Sequence, residues 1–277
     1  ATTPRDLLAV PEVPRRLDEA AMAAHMIDVP LSPEASFFEN IHQIPAAHLA
    51  LWQPGRFSMR RYWQPDYSRR LNFRRDEDYV EAAREHLTQA VRCCLRTDQP
   101  IAAHLTGGLD STAVATTAAR QLAPTRLTAR TAVPAEGVPV ATFRNRFVDE
   151  GRYAQATAAL YPNMESHLVA GTEVQRNELE PERMFLTIGQ PLRNIMNVGW
   201  FGPMNDQARA LGIGVMLAGG GGNLTLSWEG IPGLRDAARA GHLRRLWQEI
   251  QALAHKTGGS AARLAWSQAL RPLLPLA

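Results

Sequence analysis

The residues with the most chemistry in this 277-residue chain lie in Ile101-Ala-Ala-His-Leu-Thr-Gly-Gly-Leu-Asp-Ser-Thr112, an apolar run that enters two glycines and leaves through an acid flanked by hydroxyls. A strand that turns through glycine into a helix aims backbone N–H groups at the positive end of the helix, which makes a cradle for phosphate. Gly107 and Gly108 are expected to take positive φ there and let a ligand approach the backbone. The N–H groups of Thr106 to Ser111 and the hydroxyls of Thr106, Ser111 and Thr112 would ring the anion. Asp110 does not suit a bare anion cradle. A carboxylate among phosphate ligands needs a divalent cation between them, so Asp110 reads as a Mg²⁺ ligand beside a nucleotide pyrophosphate.

A second segment, Gly214-Val-Met-Leu-Ala-Gly-Gly-Gly-Gly-Asn-Leu-Thr-Leu-Ser-Trp-Glu-Gly230, is an apolar run followed by four glycines. At the end of a parallel strand those glycines would line the same crevice as the first loop, with backbone close to an adenylate or pyrophosphate. A solvated glycine loop is the alternative.

Several classes are excluded by what is missing. The chain has no G-x-x-x-x-G-K-[ST] and no lysine near the first loop, and no G-x-G-x-x-G follows that strand. No run approaches the ~20 apolar residues of a membrane span, and no charged-then-apolar signal peptide opens the chain. The two cysteines, Cys93 and Cys94, are adjacent on an expected helix and form no disulfide framework, so a reducing, cytoplasmic setting is expected. Net charge is +3 and the sequence pI about 9.2, but the arginines are scattered and not interleaved with aromatics, which argues against nucleic acid. Arginine of that kind suits phosphate or an acidic peptide.

The elements that must hold the two loops follow from periodicity. Residues 1–35 are Pro-rich with Leu17, Ala20, Ala21, Ala24 and Ile27 at helix spacing, and alternation on either side of Pro54-Gly55 predicts a β-hairpin. After a polar stretch from Pro65 to Arg75, Asp76 is expected to cap a helix with Tyr79, Val80, Ala83, Leu87, Ala90, Val91 and Cys94 on its apolar side. From there strands over 101–105, 127–133, 165–170 and 213–218 alternate with helices over 111–122, 149–160 and about 200–211. That order predicts an α/β fold, a parallel sheet with flanking helices and a site at the strand C-termini. Beyond 230 the chain reads as helices, with Leu243, Leu246, Trp247, Ile250 and Leu253 in one packing stripe. The long connection 134–148 is expected either to cover the crevice, with Arg144 or Arg146 toward substrate or phosphate, or to be a solvated loop.

Taken together, these motifs resemble a known family. Thr106-Gly-Gly-Leu-Asp-Ser111 resembles the S-G-G-x-D-S loop of enzymes that adenylate with ATP and release pyrophosphate. Phe38-Glu-Asn-Ile-His-Gln-Ile-Pro45 with Arg61-Tyr-Trp63, then Leu105 to Thr112, then Leu217 to Asn223 occur in the order of the asparagine synthetase family. Phe147-Val-Asp-Glu-Gly-Arg-Tyr-Ala154, Tyr161-Pro-Asn-Met-Glu-Ser-His167 and the stretch from Gly222 to Ser227 are most similar to the lasso peptide cyclases within it.

The resemblance implies an adenine nucleotide alpha hydrolase-like synthetase domain over 76–277, preceded in residues 1–65 by the C-terminal remnant of a β-rich, glutaminase-like (Ntn-type) domain. It implies AMP contacts from Leu105, Val133, Ala218 and Gly219, and pyrophosphate held by Thr106, Gly108, Asp110 and Ser111, with Gly107 and Thr112 of the same loop completing the expected cofactor-binding set. ATP and Mg²⁺ would be the cofactors, with Asp110 and Asn223 on the metal and Asp110, Ser111 and Asn223 in the chemistry. The family places an acid where Gly220 stands, an Asp where Asn223 stands, and a late catalytic lysine; Lys256 is the only lysine, in a setting that does not match that motif. Nor does the chain open with the cysteine of the amide-nitrogen donors, so glutamine hydrolysis is not expected.

Three functions remain in view. A lasso peptide cyclase would join an Asp or Glu side chain of a precursor peptide to its N-terminus, alongside a leader-peptide protease and a leader-binding protein, with no nucleic acid or membrane partner. An ammonia- or amine-using synthetase would make asparagine or a β-lactam. A degenerate relative would bind nucleotide without turnover.

Overall fold

The computed structural model describes residues 1–66, 68–69, 71–137, 147–170, 181–191, 198–228 and 230–273. The N-terminal part carries helices α1 (Pro4–Leu8) and α2 (Glu19–Met26) and the hairpin β1 (His48–Gln53) and β2 (Arg56–Arg61), whose turn uses Gly55 at φ +73°. Asp18 caps α2 by accepting from the Ala21 amide at 2.9 Å. Of the expected apolar stripe on α2 only Ala21 is buried. Leu17 instead bridges to Phe38 and Ile27 at the C-cap is 73% exposed, both lying outside the helix itself.

Helix α3 (Asp76–Cys94) follows, with Arg75 and not Asp76 in the N-cap position and no side-chain cap hydrogen bond from it. Asp76, Glu77 and Asp78 fill its first turn, where carboxylates favour the positive helix end. Only Val91 of its expected apolar side is buried; Tyr79, Val80 and Cys94 are exposed. Leu87 and Leu95 join Val91 against the core, and α4 is the neighbour on which this helix packs.

The α/β expectation is met. Strands β3 (Ile101–His104), β4 (Leu127–Val133), β5 (Met164–Ala170) and β6 (Val215–Leu217) form one parallel sheet in the order β5-β4-β3-β6. Helices α4 (Leu109–Leu122), α5 (Gly151–Ala158) and α7 (Val198–Ala210) supply the crossovers. From β3 the chain moves one way to β4 and β5, then returns to place β6 on the other side of β3. The strand order therefore reverses between β3 and β6, and ligands of open α/β sheets bind beyond the strand C-termini at such a point.

The period of two gives the sheet different faces. Ile101, Ala103, Leu105, Leu127, Ala129, Met164 and Leu217 meet Ala115, Ala118, Ala119 of α4 and Ala154, Ala158 of α5 in the main core. Alanines on both sides let the helices approach closely. The opposite face carries His104, Arg130 and His167 in one row of register, and α7 lies over it. Phe201 stacks on His104 at 5.4 Å, and Gln207 accepts from Arg130, whose side chain is buried.

Helix α6 (Pro181–Ile188), which periodicity did not reveal, packs Phe185 and Leu186 on Phe37, Phe38, Leu8 and Ile41. Past β6, helices α8 (Ile231–Arg239), α9 (Leu243–Thr257) and α10 (Ala261–Leu264), the last running into a π-helical turn over Ala265–Leu270, enclose a third cluster of Leu234, Leu246, Ile250 and Ala269. Leu243 and Trp247 of the expected stripe stay exposed, so the stripe is narrower than its spacing. Among the described residues no helix is long and apolar enough to cross a membrane.

Candidate active site

The loop between β3 and α4 is held by its own hydroxyls. The Thr106 amide donates to Ser111 Oγ at 3.1 Å, the Thr106 and Ser111 hydroxyls lie 2.9 Å apart, and the Gly108 amide donates to Thr106 Oγ1 at 3.0 Å. Thr112 Oγ1 donates to the Thr106 carbonyl at 3.4 Å, and the Leu105 amide donates to the Arg130 carbonyl at 2.9 Å, tying the loop to β4. Three amides expected for an anion are therefore already engaged, the third being Gly107, which donates to Glu150 Oε2 at 3.3 Å. What is left for a ligand is the first turn of α4, whose N-cap Gly108 has no side chain to satisfy it.

The glycines are needed for space and not for handedness. Neither Gly107 nor Gly108 is among the positive-φ glycines, and Gly108 has φ −80°. A Cβ on Gly107 would stand 3.2 Å from Tyr153 Cβ, and one on Gly108 3.2 Å from Thr106 Oγ1. In the second segment both reasons operate: Gly221 has φ +79°, while Gly219 lies on the Ser111 amide, 2.6 Å from where its Cβ would be. Gly222 lies on Asp110, with 2.5 Å between an added Cβ and the Asp110 Cβ. The structure thus brings the two glycine segments together across β3 and β6.

At this junction Asp110 Oδ2 accepts from Ser227 Oγ at 2.8 Å, and the same hydroxyl is 3.0 Å from Asn223 Oδ1. Asp110 Oδ1 is buried and has no hydrogen-bond partner among the described residues. A carboxylate oxygen removed from water without a donor is costly unless a cation meets it, so the residues present fit a metal at this point. Beside it a cavity of about 620 Å³ opens between α3 and the glycine segment, with Ala83, His86, Leu87, Val114 and Leu226 among its walls and Asp110 at its edge.

The remaining expected residues are distributed around that edge. Ala218 is exposed just past β6, and Val133 is half-buried at the end of β4, its Cγ1 3.0 Å from a Cβ on Gly151. Leu105 is fully buried in the core, so only its backbone faces the loop. Arg144 and Arg146 lie outside the described residues. Sequence reasoning missed Ser227, Glu150 and Tyr153. Glu150 and Tyr153 fall in the Phe147–Ala154 motif, where Asp149 Oδ1 accepts from the Gly151 amide at 2.9 Å and so fixes the start of α5 over the phosphate loop.

Behind the loop, burial pushes the His104 imidazole below its ordinary pKa and the Arg130 charge pushes it in the same direction. His104 is thus held neutral under the Phe201 ring. Burial also lowers the Arg130 pKa, but a guanidinium starts so high that it stays charged.

The family model of asparagine synthase matches residues 82–274, and the chain belongs to that family. Over 83 residues it is 34% identical to Amidase chyE of Penicillium rubens and 34% identical to Amidase chry2 of Gibberella zeae, in each case 29% of this chain. The match spans 12% of the length of those relatives. The NH3-dependent NAD synthetase from Campylobacter jejuni, solved in complex with the nitrate ion, aligns with 55% of this chain and 60% of its own at 15% identity and a TM-score of 0.32.

Proposed function

We propose that this chain is an ATP-dependent, AMP-forming amide ligase whose acyl substrate is an acidic side chain of a precursor peptide and whose amine is that peptide's N-terminus, as in the lasso peptide cyclases. The observation that carries the reading is the meeting of the two glycine segments on Asp110 at the strand-order reversal, where a carboxylate, open helix amides and ligand-accessible backbone converge. Membership of the asparagine synthase family supports the reaction class.

Each group has a task in that reaction. The Thr106–Ser111 hydroxyl pair keeps the loop in shape, and the first amides of α4 would face the phosphates of ATP. Asp110 and the Asn223 amide oxygen would hold Mg²⁺, which neutralises charge on the departing pyrophosphate. The substrate carboxylate oxygen attacks the α-phosphorus, the bond to the bridging oxygen of the β-phosphate breaks, and pyrophosphate leaves with that electron pair. The peptide amine then attacks the carbonyl carbon of the mixed anhydride, AMP departs and the amine proton is lost, leaving an isopeptide ring. The cavity between α3 and the glycine segment gives the peptide an apolar approach to Asp110. A leader-peptide protease and a leader-binding protein would precede this step, and the free thiols of Cys93 and Cys94 suit a cytoplasmic location.

Gly220 and Asn223, at positions where the resemblance expects acids, favour a second reading in which nucleotide is bound without turnover. Pyrophosphate release measured with and without an acidic peptide decides between them: peptide-dependent release supports the ligase, and nucleotide binding without release supports the second reading.

A further inference from the structure

The contact of Ser227 with both Asp110 and Asn223 has a hydrogen count that does not close. The hydroxyl carries one proton, and an ionised carboxylate only accepts, so at 2.8 Å Ser227 donates to Asp110 Oδ2. That leaves the 3.0 Å approach to Asn223 Oδ1 as oxygen facing oxygen with no hydrogen between. Turning the amide round would place an N–H there; a cation bound at the Asp110 carboxylate would satisfy the two facing oxygens as they stand.

Two further observations favour the cation. Asp110 Oδ1, on the same carboxylate, is buried without a partner among the described residues, a demand that an amide flip at Asn223 leaves unmet. The segment is also folded back to put Ser227 there: the Ser227 and Thr225 amides both donate to the Gly222 carbonyl, at 3.1 and 2.8 Å, around the 3₁₀ turn Gly222–Leu224. Position 227, 117 residues from Asp110 in sequence, is thereby brought over the carboxylate by the same Gly222 whose missing side chain makes room for it.

We infer that Ser227 is a member of the metal-binding set, supplying with Asn223 the oxygen atoms that a second carboxylate would otherwise supply. This rests on the ATP-dependent reading above. The set Asp110, Asn223 and Ser227 has hard oxygen ligands suited to Mg²⁺ but only one formal charge. Phosphate oxygens must provide the rest. The cation therefore binds weakly to the free protein and tightly only together with the triphosphate, so metal and nucleotide enter as one unit.

The test is Mn²⁺ binding by electron paramagnetic resonance on the full chain, with and without an α,β-methylene analogue of ATP that cannot release pyrophosphate, and with circular dichroism to check that variants fold. The wild type should bind Mn²⁺ tightly only with the analogue. Ser227→Ala should weaken that coupled binding by about tenfold or more, the size typical of lost metal-site partners. Asn223→Asp should tighten nucleotide-free Mn²⁺ binding by about tenfold, and should restore binding when added to Ser227→Ala. Wild-type Mn²⁺ affinity in a folded Ser227→Ala variant would overturn the inference while leaving the ligase reading intact. Failure of the wild type to bind the analogue at any Mn²⁺ concentration would overturn both.

Discussion

Gly222 lies against Asp110 with no space for a side chain between them, an added Cβ coming within 2.5 Å of the Asp110 Cβ. The position of a carboxylate in the first turn of α4 is thus set by a backbone contact from the 3₁₀ turn that follows β6. Gly222→Ala must displace either the loop or Asp110. Overpacking of this kind costs about 1–3 kcal/mol, and a catalytic group moved by ~1 Å costs about a hundredfold in rate. A lowered melting temperature with pyrophosphate release reduced about a hundredfold is expected; an unaltered rate would show that Asp110 need not be where it stands.

Glu150 accepts from the Gly107 amide through Oε2 at 3.3 Å and brings a negative charge to the loop. An arriving pyrophosphate has to compete with it or be repelled by it. Glu150→Gln keeps an oxygen for the amide and removes the charge, which is worth about 1 kcal/mol near the surface. KM for ATP should fall by about threefold to tenfold, most clearly at low salt. A rise in KM would mean that the carboxylate helps to place the nucleotide.

How far the chain could be read in advance depended on whether its signals were local. The hairpin at Pro54-Gly55, the strand Leu127–Val133 and the loop at Thr106 are visible because alternation and turn residues are short-range properties. Helix α6 was invisible because its placement comes from Phe185 and Leu186 meeting Phe37 and Phe38, well over a hundred residues away in sequence. Gly107 was expected to need positive φ, whereas the reason it is glycine is Tyr153, which only the folded chain brings near. Ser227 lay within the Gly222–Ser227 stretch but had no role assigned, since a serine after a glycine run has no distinctive spacing until the fold sets it on Asp110.

His104 supplies a pH dependence of stability. Its folded pKa is depressed from the ordinary 6.5 by burial and then by Arg130, so the unfolded chain takes up a proton more readily than the folded one. The contribution of a neutral His104 is complete above about pH 6.5, and is lost as pH falls from there toward the lowered folded value. His104→Phe retains stacking on Phe201 and cannot titrate. Urea midpoints between pH 5 and 8 should fall toward acid in the wild type more steeply than in the variant; parallel curves would place the titrating group elsewhere.

The central claim is that Asp110 stands where an ATP-derived pyrophosphate leaves as a peptide carboxylate is activated. Its most direct measurement is mass spectrometry of one reaction containing the protein, ATP, Mg²⁺ and a linear peptide with an acidic residue near position eight, run beside Asp110→Ala. Loss of the metal clamp is worth several kcal/mol, so the variant should be slower by about a hundredfold or more. The expected products are AMP, pyrophosphate and a peptide lighter by one water, with almost none from the variant. ADP in place of AMP, or equal product from Asp110→Ala, would contradict the account.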